Sequence, residues 1–245
     1  MSKKRDPHLV ELANAGISLR ANDNIRTNFN SYMENGGDGT LNGTVLMLCV
    51  DEEMLISRVE KACQGLLEAL FIDTENDHNT KDTARRMAKM YVTEVFKGRY
   101  QPMPSITAFP NVKNVDQIYT VGPATIRSAC SHHMVPIMGE AWIGILPEKT
   151  DGKVLGLSKF VRLAEWIFAR PQIQEEGTEM LSDVIWEAVQ PRGLAVVVRA
   201  AHMCMTWRGV RETQTTMVTS SMRGAFKEDA KAREEFFNLI KGQGY

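Results

Sequence analysis

The sequence predicts an α+β protein in which a mainly antiparallel sheet is backed by helices, with a helical part in front of it. Three observations carry that expectation. Apolar residues recur at steps of three and four in several stretches, the period of an amphipathic helix. Short apolar or β-branched runs such as 141–146 and 194–199 have the length of strands. The order is helices, strands, two helices, strands, helix, without the strict alternation that builds a parallel sheet. With 245 residues, 43% of them hydrophobic and 24% charged, the chain can bury a substantial core.

Residues 1–50 are expected to form an N-terminal extension. Asn and Gly recur there, as in Asn35-Gly36-Gly37-Asp38-Gly39, and the apolar run 45–50 has no clear period. A helical part is expected over 51–100. Leu55, Val59, Ala62, Leu66 and Leu70 form one stripe, with Cys63 a small buried hydrophobe within the helix. After the polar loop 73–80, a second helix starts near Asp82-Thr83, carries Met87, Met90, Tyr91 and Val95 inward, and stops at Gly98.

Pro102 and Pro104 mark a break, and the catalytic domain is expected over 101–245. Its strands are read at 118–121, 124–127, 141–146, 194–199 and 213–220. A helix with Ser158 near its cap buries Phe160, Leu163, Ala164 and Ile167 and ends at Pro171. Another, over 174–189, turns Met180, Leu181, Val184, Ile185 and Ala188 inward, and a charged helix over 228–241 closes the chain.

The bulk properties exclude several classes. A net charge of −1 is wrong for a general nucleic-acid binder. No apolar run approaches the ~18–20 residues that span a bilayer, so no membrane partner is expected. The basic start Met1-Ser2-Lys3-Lys4-Arg5 has no apolar stretch behind it, unlike a secretory signal. Four cysteines without a close-spaced framework fit a reducing compartment, and a cytoplasmic location is expected.

Two short segments concentrate the reactive side chains. Cys130-Ser131-His132-His133 and His202-Met203-Cys204 hold three of the five histidines and two of the four cysteines. Thiolate and imidazole are the ligands Zn²⁺ prefers. Cys130, His133 and Cys204 would supply three, leaving a fourth position for water, the pattern of a catalytic site. A closed structural site using one more histidine, or no metal at all, are the alternatives. His132 and His202 remain as candidate acid and base; if the first segment is extended, its two adjacent histidines point to opposite sides. The His-x-Glu and Pro-Cys-x-x-Cys elements of a zinc deaminase are missing, as is His-Glu-x-x-His. Ser158, Lys159 and Arg162 near a helix start, with Arg208 after the second cluster, suit an anion. A carboxylate at Glu175 could accept two N–H bonds from a guanine edge.

Four blocks carry a resemblance in this order: Cys130-Ser131-His132-His133-Met134-Val135-Pro136, Gly156-Leu157-Ser158-Lys159, Arg170-Pro171-Gln172-Ile173-Gln174-Glu175 and 202–210, His-Met-Cys-Met-Thr-Trp-Arg-Gly-Val. Together they resemble GTP cyclohydrolase I, over about 52–241. Residues 82–91 are similar to the family's early helix, with Ala84 where a proline is usual. The resemblance implies the tunnelling fold (T-fold) and a homo-oligomer, a toroidal decamer with sites at subunit interfaces. It implies zinc-dependent conversion of GTP to 7,8-dihydroneopterin triphosphate and formate, feeding folate or 7-deazaguanine synthesis. By the same resemblance, Cys130, His133 and Cys204 match the zinc ligands and His132 and His202 the proton-transfer histidines. Glu175 matches the guanine anchor, with Gln174 beside it facing the sugar. Lys159, Arg162, Arg208 and Arg86 match triphosphate contacts, and Ser158 matches the serine that assists the ribose rearrangement.

Beyond Ala84, two stretches depart from the family pattern. Ser131 stands where glutamate is usual, and Glu176-Gly177 where Arg-Leu is usual. They leave open a member that acts on a related nucleotide or stops at ring opening, and a non-catalytic zinc-bearing assembly protein.

Overall fold

The structure, a computed structural model, describes residues 52–245, so the N-terminal extension and the run 45–50 lie outside the described residues. The described residues divide into two compact units that part between Pro102 and Met103.

In the first unit, helix α1 (Glu52–Ala69) packs on α2 (Thr83–Lys89), which runs into a π-helical segment (Met90–Val95) and a short α3 (Lys97–Tyr100). The buried face of α1 is Ile56, Cys63 and Leu67, against Ala84, Ala88 and Val92. This corrects the expected stripe: Leu66 and Leu70 are exposed, because α2 covers the neighbouring face. Met90 is exposed too, since the apolar contact of the second helix follows Ala84, Ala88 and Val92 at steps of four. Asp82 makes no side-chain cap, and Gly98 is buried inside α3 rather than ending a helix. Arg85 bridges Glu53 (2.9 Å) and Glu60 (3.0 Å) on α1.

The second unit is built on a five-stranded sheet in the order β5-β2-β3-β6-β7. Its strands are β2 (Tyr119–Cys130), β3 (Pro136–Leu146), β5 (Pro171–Gln172), β6 (Gly193–His202) and β7 (Met217–Gly224). All neighbours are antiparallel except β5, which runs parallel to the end of β2. The two strands expected over 118–127 are one strand, interrupted by a bulge between Val121 and Ala124. The last strand begins four residues later than its β-branched composition suggested, because its register is set by pairing with β6 from Gly193↔Gly224 onward. A small second sheet pairs β1 (Ala108–Pro110) with β4 (Lys153–Leu155).

Both sheet faces are covered. On one lie α4 (Leu157–Phe168) and α5 (Gln174–Val189), with Phe160, Leu163, Ile167, Leu181 and Ile185 packed on Ile126 and Ile143. The expected inward faces of these helices are present; Met180, Val184 and Ala188 border the core while Leu181, Ile185 and Val189 fill it. On the other face, short α7 (Ala225–Glu228) and α8 (Ala230–Lys241) bring Phe226, Phe236 and Ile240 onto Trp142, Ala195 and Val197. No described helix is long and apolar enough to cross a membrane.

Gly177 is fitted to this packing. A Cβ there would stand 2.7 Å from Phe168 Cε1 and 3.0 Å from Gln172 Nε2, both buried. Gly177→Leu is therefore expected to destabilise the protein by about 1–3 kcal/mol through overpacking. The denaturation midpoint measures this, and adding Phe168→Ala should recover part of the loss.

Candidate active site

The strand order explains why residues seventy positions apart meet. β2 and β6 both run antiparallel to β3 and flank it, so both end where β3 begins. Cys130 is the last residue of β2, and His202 is the last of β6, paired with Ile137 at the start of β3. Beyond His202 the chain makes a single helical turn, α6 (Met203–Thr206), which carries Cys204 back over the strand ends. Ala129 and Cys130 also pair with Pro171 and Gln172, so the start of α5, with Gln174 and Glu175, arrives at the same end. Ser128 Oγ donates to Arg170 O (3.0 Å), and Gln172 Nε2 donates to Ile167 O (3.0 Å), fixing that crossing.

The link from β2 to β3 is a tight turn. Cys130 N donates to Val135 O (2.8 Å) and Met134 N to Cys130 O (2.8 Å), with Met134 in the left-handed region at φ 55°. The extended geometry considered for His132-His133 is thus replaced by a turn, required to reverse the chain between paired strands. The two rings still diverge, with centroids 6.4 Å apart and planes at 73°.

The ligand atoms of Cys130, His133 and Cys204 all lie within 4.8 Å of one another. Cys130 is buried, Cys204 half-buried and His133 exposed, so the trio opens to solvent on one side. Two sulfurs and one imidazole nitrogen at this spacing could hold a metal ion such as Zn²⁺ and leave a fourth position open. His132 Nδ1 lies 3.6 Å from Cys130 Sγ, and Arg208 Nη1 donates to His133 Nε2 at 3.3 Å. Burial and the neighbouring Cys130 sulfur push the Cys204 thiol up, while Arg208 pulls it the other way. A metal binding here therefore displaces thiol protons.

His202 is half-buried. Burial lowers its pKa, and the nearby Glu175 carboxylate opposes that shift. Its Nε2 sits 2.8 Å from Gln174 Oε1. Gln174, expected to face the sugar, is instead 1% exposed, and its amide is engaged by the protein: Nε2 donates to Val198 O (3.1 Å), Met217 O (3.2 Å) and Thr219 Oγ1 (3.0 Å). Glu175, one residue on, is exposed. Thr178 and Thr219, which complete this network, went unnoticed in the sequence; the signal was the i, i+4 spacing of Gln174 and Thr178 on one helix.

Ser158, Lys159 and Arg162 occupy the first turns of α4, whose far end leads to Pro171 and Gln172 beside Cys130. Ten residues of helix, roughly 15 Å, separate Ser158 from that end. Lys159 Nζ donates to Ser105 O (2.8 Å). Arg86 belongs to the first unit, exposed and 3.5 Å from Asp82.

An α+β sheet whose strand ends gather two thiols, one imidazole and a second, half-buried histidine has the side chains with which an enzyme could hold a metal ion and move a proton beside it. Comparison with known sequences narrows this. The family model described as GTP cyclohydrolase I matches residues 59–241. The GTP cyclohydrolase 1 of Halalkalibacterium halodurans is 40% identical over 185 residues, 76% of this chain and 96% of that one. That of Bacillus subtilis is 40% identical over 192 residues, 78% and 99% of the two chains. A solved structure of an archaeosine synthase QueF-like protein in its apo form aligns with 50% of this chain at 15% identity and a TM-score of 0.33. The chain belongs to the GTP cyclohydrolase I family, and with it to the hydrolases of T-fold architecture.

Proposed function

We propose that this protein opens the guanine imidazole ring of GTP hydrolytically, releases C8 as formate and rearranges the ribose to give 7,8-dihydroneopterin triphosphate. The observation that carries the reading is the Cys130–His133–Cys204 trio beside His202, in a chain of this family. The trio would hold Zn²⁺. Bound there, Zn²⁺ supplies a lowered water pKa, so that a nucleophile forms near neutral pH. His202, partly withdrawn from water, handles a proton at the purine, and His132 a second one beside the leaving carbon. Glu175, exposed next to His202, anchors the guanine edge through two N–H bonds. Arg208, reaching over His133, meets a phosphate.

Ser158, Lys159, Arg162 and Arg86 would complete the site from neighbouring copies, in the toroidal decamer that the family resemblance implies. What supports this is the length of α4 between Lys159 and the cluster. A purine at the trio then takes its triphosphate contacts from another subunit. Mixing inactive Cys204→Ser with inactive Lys159→Ala under conditions that exchange subunits should restore activity, toward about a quarter of wild type if each site draws on two chains at random. No recovery would contradict shared sites. A reducing cytoplasmic setting suits the three described cysteines, all of which are free thiols.

Product identity tests the reaction. Zinc-loaded protein given GTP should yield a fluorescent pterin after oxidation. A ring-opened formamide that accumulates without formate would replace the reading with a partial reaction; absence of GTP binding would favour a non-catalytic assembly protein.

A further inference from the structure

We infer that Gln174 is a positioning residue: its side-chain amide fixes the ring orientation and tautomer of His202, and it does not bind the substrate sugar. This rests on the reading that His202 handles a proton in the reaction.

The hydrogen directions follow from the partners. Thr178 Oγ1 donates to Gln174 O (2.8 Å), which uses its single hydrogen. In the 2.7 Å contact between Thr178 Oγ1 and Thr219 Oγ1, Thr219 must then be the donor. The Thr219 oxygen is thereby left to accept from Gln174 Nε2 (3.0 Å). That same nitrogen faces the carbonyls of Val198 and Met217, which can only accept. A flipped amide would set its oxygen against two carbonyl oxygens, so Nε2 is the inward atom and Oε1 the one facing His202. An oxygen there accepts, and His202 Nε2, 2.8 Å away, must carry a hydrogen. The lone pair of the neutral ring therefore lies on Nδ1, the nitrogen left for reaction chemistry.

The anchoring is stiff because it ties three elements together. Gln174 sits at the start of α5, its acceptors lie on β6 and β7, and His202 ends β6. At 1% exposure its two amide hydrogens are already shared among three acceptors, leaving none for a ribose hydroxyl. Outer partners that orient a metal-ligating imidazole change affinity or activity by about 10–100-fold when removed, and a loss on that scale is expected for an imidazole that moves a proton.

The test compares zinc-loaded wild type with Gln174→Met, which keeps length but has no amide. The expected result is kcat lower by about 10–100-fold with KM for GTP within about twofold. Binding of GTP and of 2′-deoxy-GTP should weaken equally little. Weakened binding of GTP with 2′-deoxy-GTP unaffected, at unchanged kcat, would make Gln174 a sugar contact and overturn the inference. If Gln174→Met does not fold, Thr219→Val, which removes one acceptor of the amide, should give a smaller kcat loss in the same direction; an unaltered kcat would overturn it. Solid-state ¹⁵N spectra of histidine-labelled protein, with the His202 signal identified by its disappearance in His202→Asn, read the tautomer without turnover. Protonation at Nε2 is expected, and protonation at Nδ1 would refute the inference even in an active enzyme. Inactive wild type that keeps the Nε2 tautomer would instead count against the proposed reaction alone.

Discussion

Replacing Cys204 with serine is expected to strip zinc from the protein and abolish pterin formation. Cys130 and Cys204 supply two of the three candidate ligand atoms that lie within 4.8 Å of one another, and His133 is the exposed member of the trio. A hydroxyl at this position neither ionises near neutral pH nor matches the softness of a thiolate. The loss in metal affinity should exceed the ~10–100-fold that removal of an outer partner produces. Metal content falls from about one zinc per chain toward none, and turnover falls with it. The fold should persist, since Cys204 is half-buried on one helical turn outside the sheet. Metal analysis and circular dichroism on the same sample separate the two effects; a serine variant with full zinc and full rate would remove the trio from the chemistry.

The second large effect is expected from Gly139→Ala. Gly139 lies on β3 opposite Ala200 of β6, two pairs from the His202 end. A Cβ there would stand 2.1 Å from Arg199 O and 2.6 Å from the Ala200 Cα, both backbone atoms of the paired strand. Backbone cannot swing aside as a side-chain tip does, so β3 and β6 must part locally. The cost is expected at the upper end of overpacking, about 3 kcal/mol or more. Because β3 separates the strands that bring Cys130 and Cys204 together, zinc affinity should fall as well as stability. Thermal unfolding and zinc titration measure the two; an alanine variant with unchanged melting temperature and affinity would mean that this contact does not hold the site.

The candidate metal trio is legible in the sequence, and the reasons are physical. Zn²⁺ prefers thiolate and imidazole, so Cys130, His133 and Cys204 stand out by type and clustering. Helices α4 and α5 were legible because the sheet buries one face of each, which writes a period of 3.6 into Phe160, Leu163, Ala164 and Ile167. Helix α1 was misread in its face because apolar residues lie on both sides of it, and only the partner helix decides that Ile56, Cys63 and Leu67 are covered while Leu66 and Leu70 are not. The start of β7 was misplaced because its run of threonines suits a strand or a loop equally, and pairing with β6 makes the choice. Gln174 shows the same limit at the site. The groups its amide engages lie on β6 and β7, far from it in the chain, so no local pattern displays them.

On the proposed reaction, the zinc-loaded chain removes C8 from GTP by hydrolysis. GTP carrying carbon-14 at C8 tests it most directly, with released formate and the remaining nucleotide separated and counted. All label lost from the nucleotide should be recovered as formate, and the pterin product should be unlabelled. Label that stays in the nucleotide, with zinc and GTP both bound, would contradict the account.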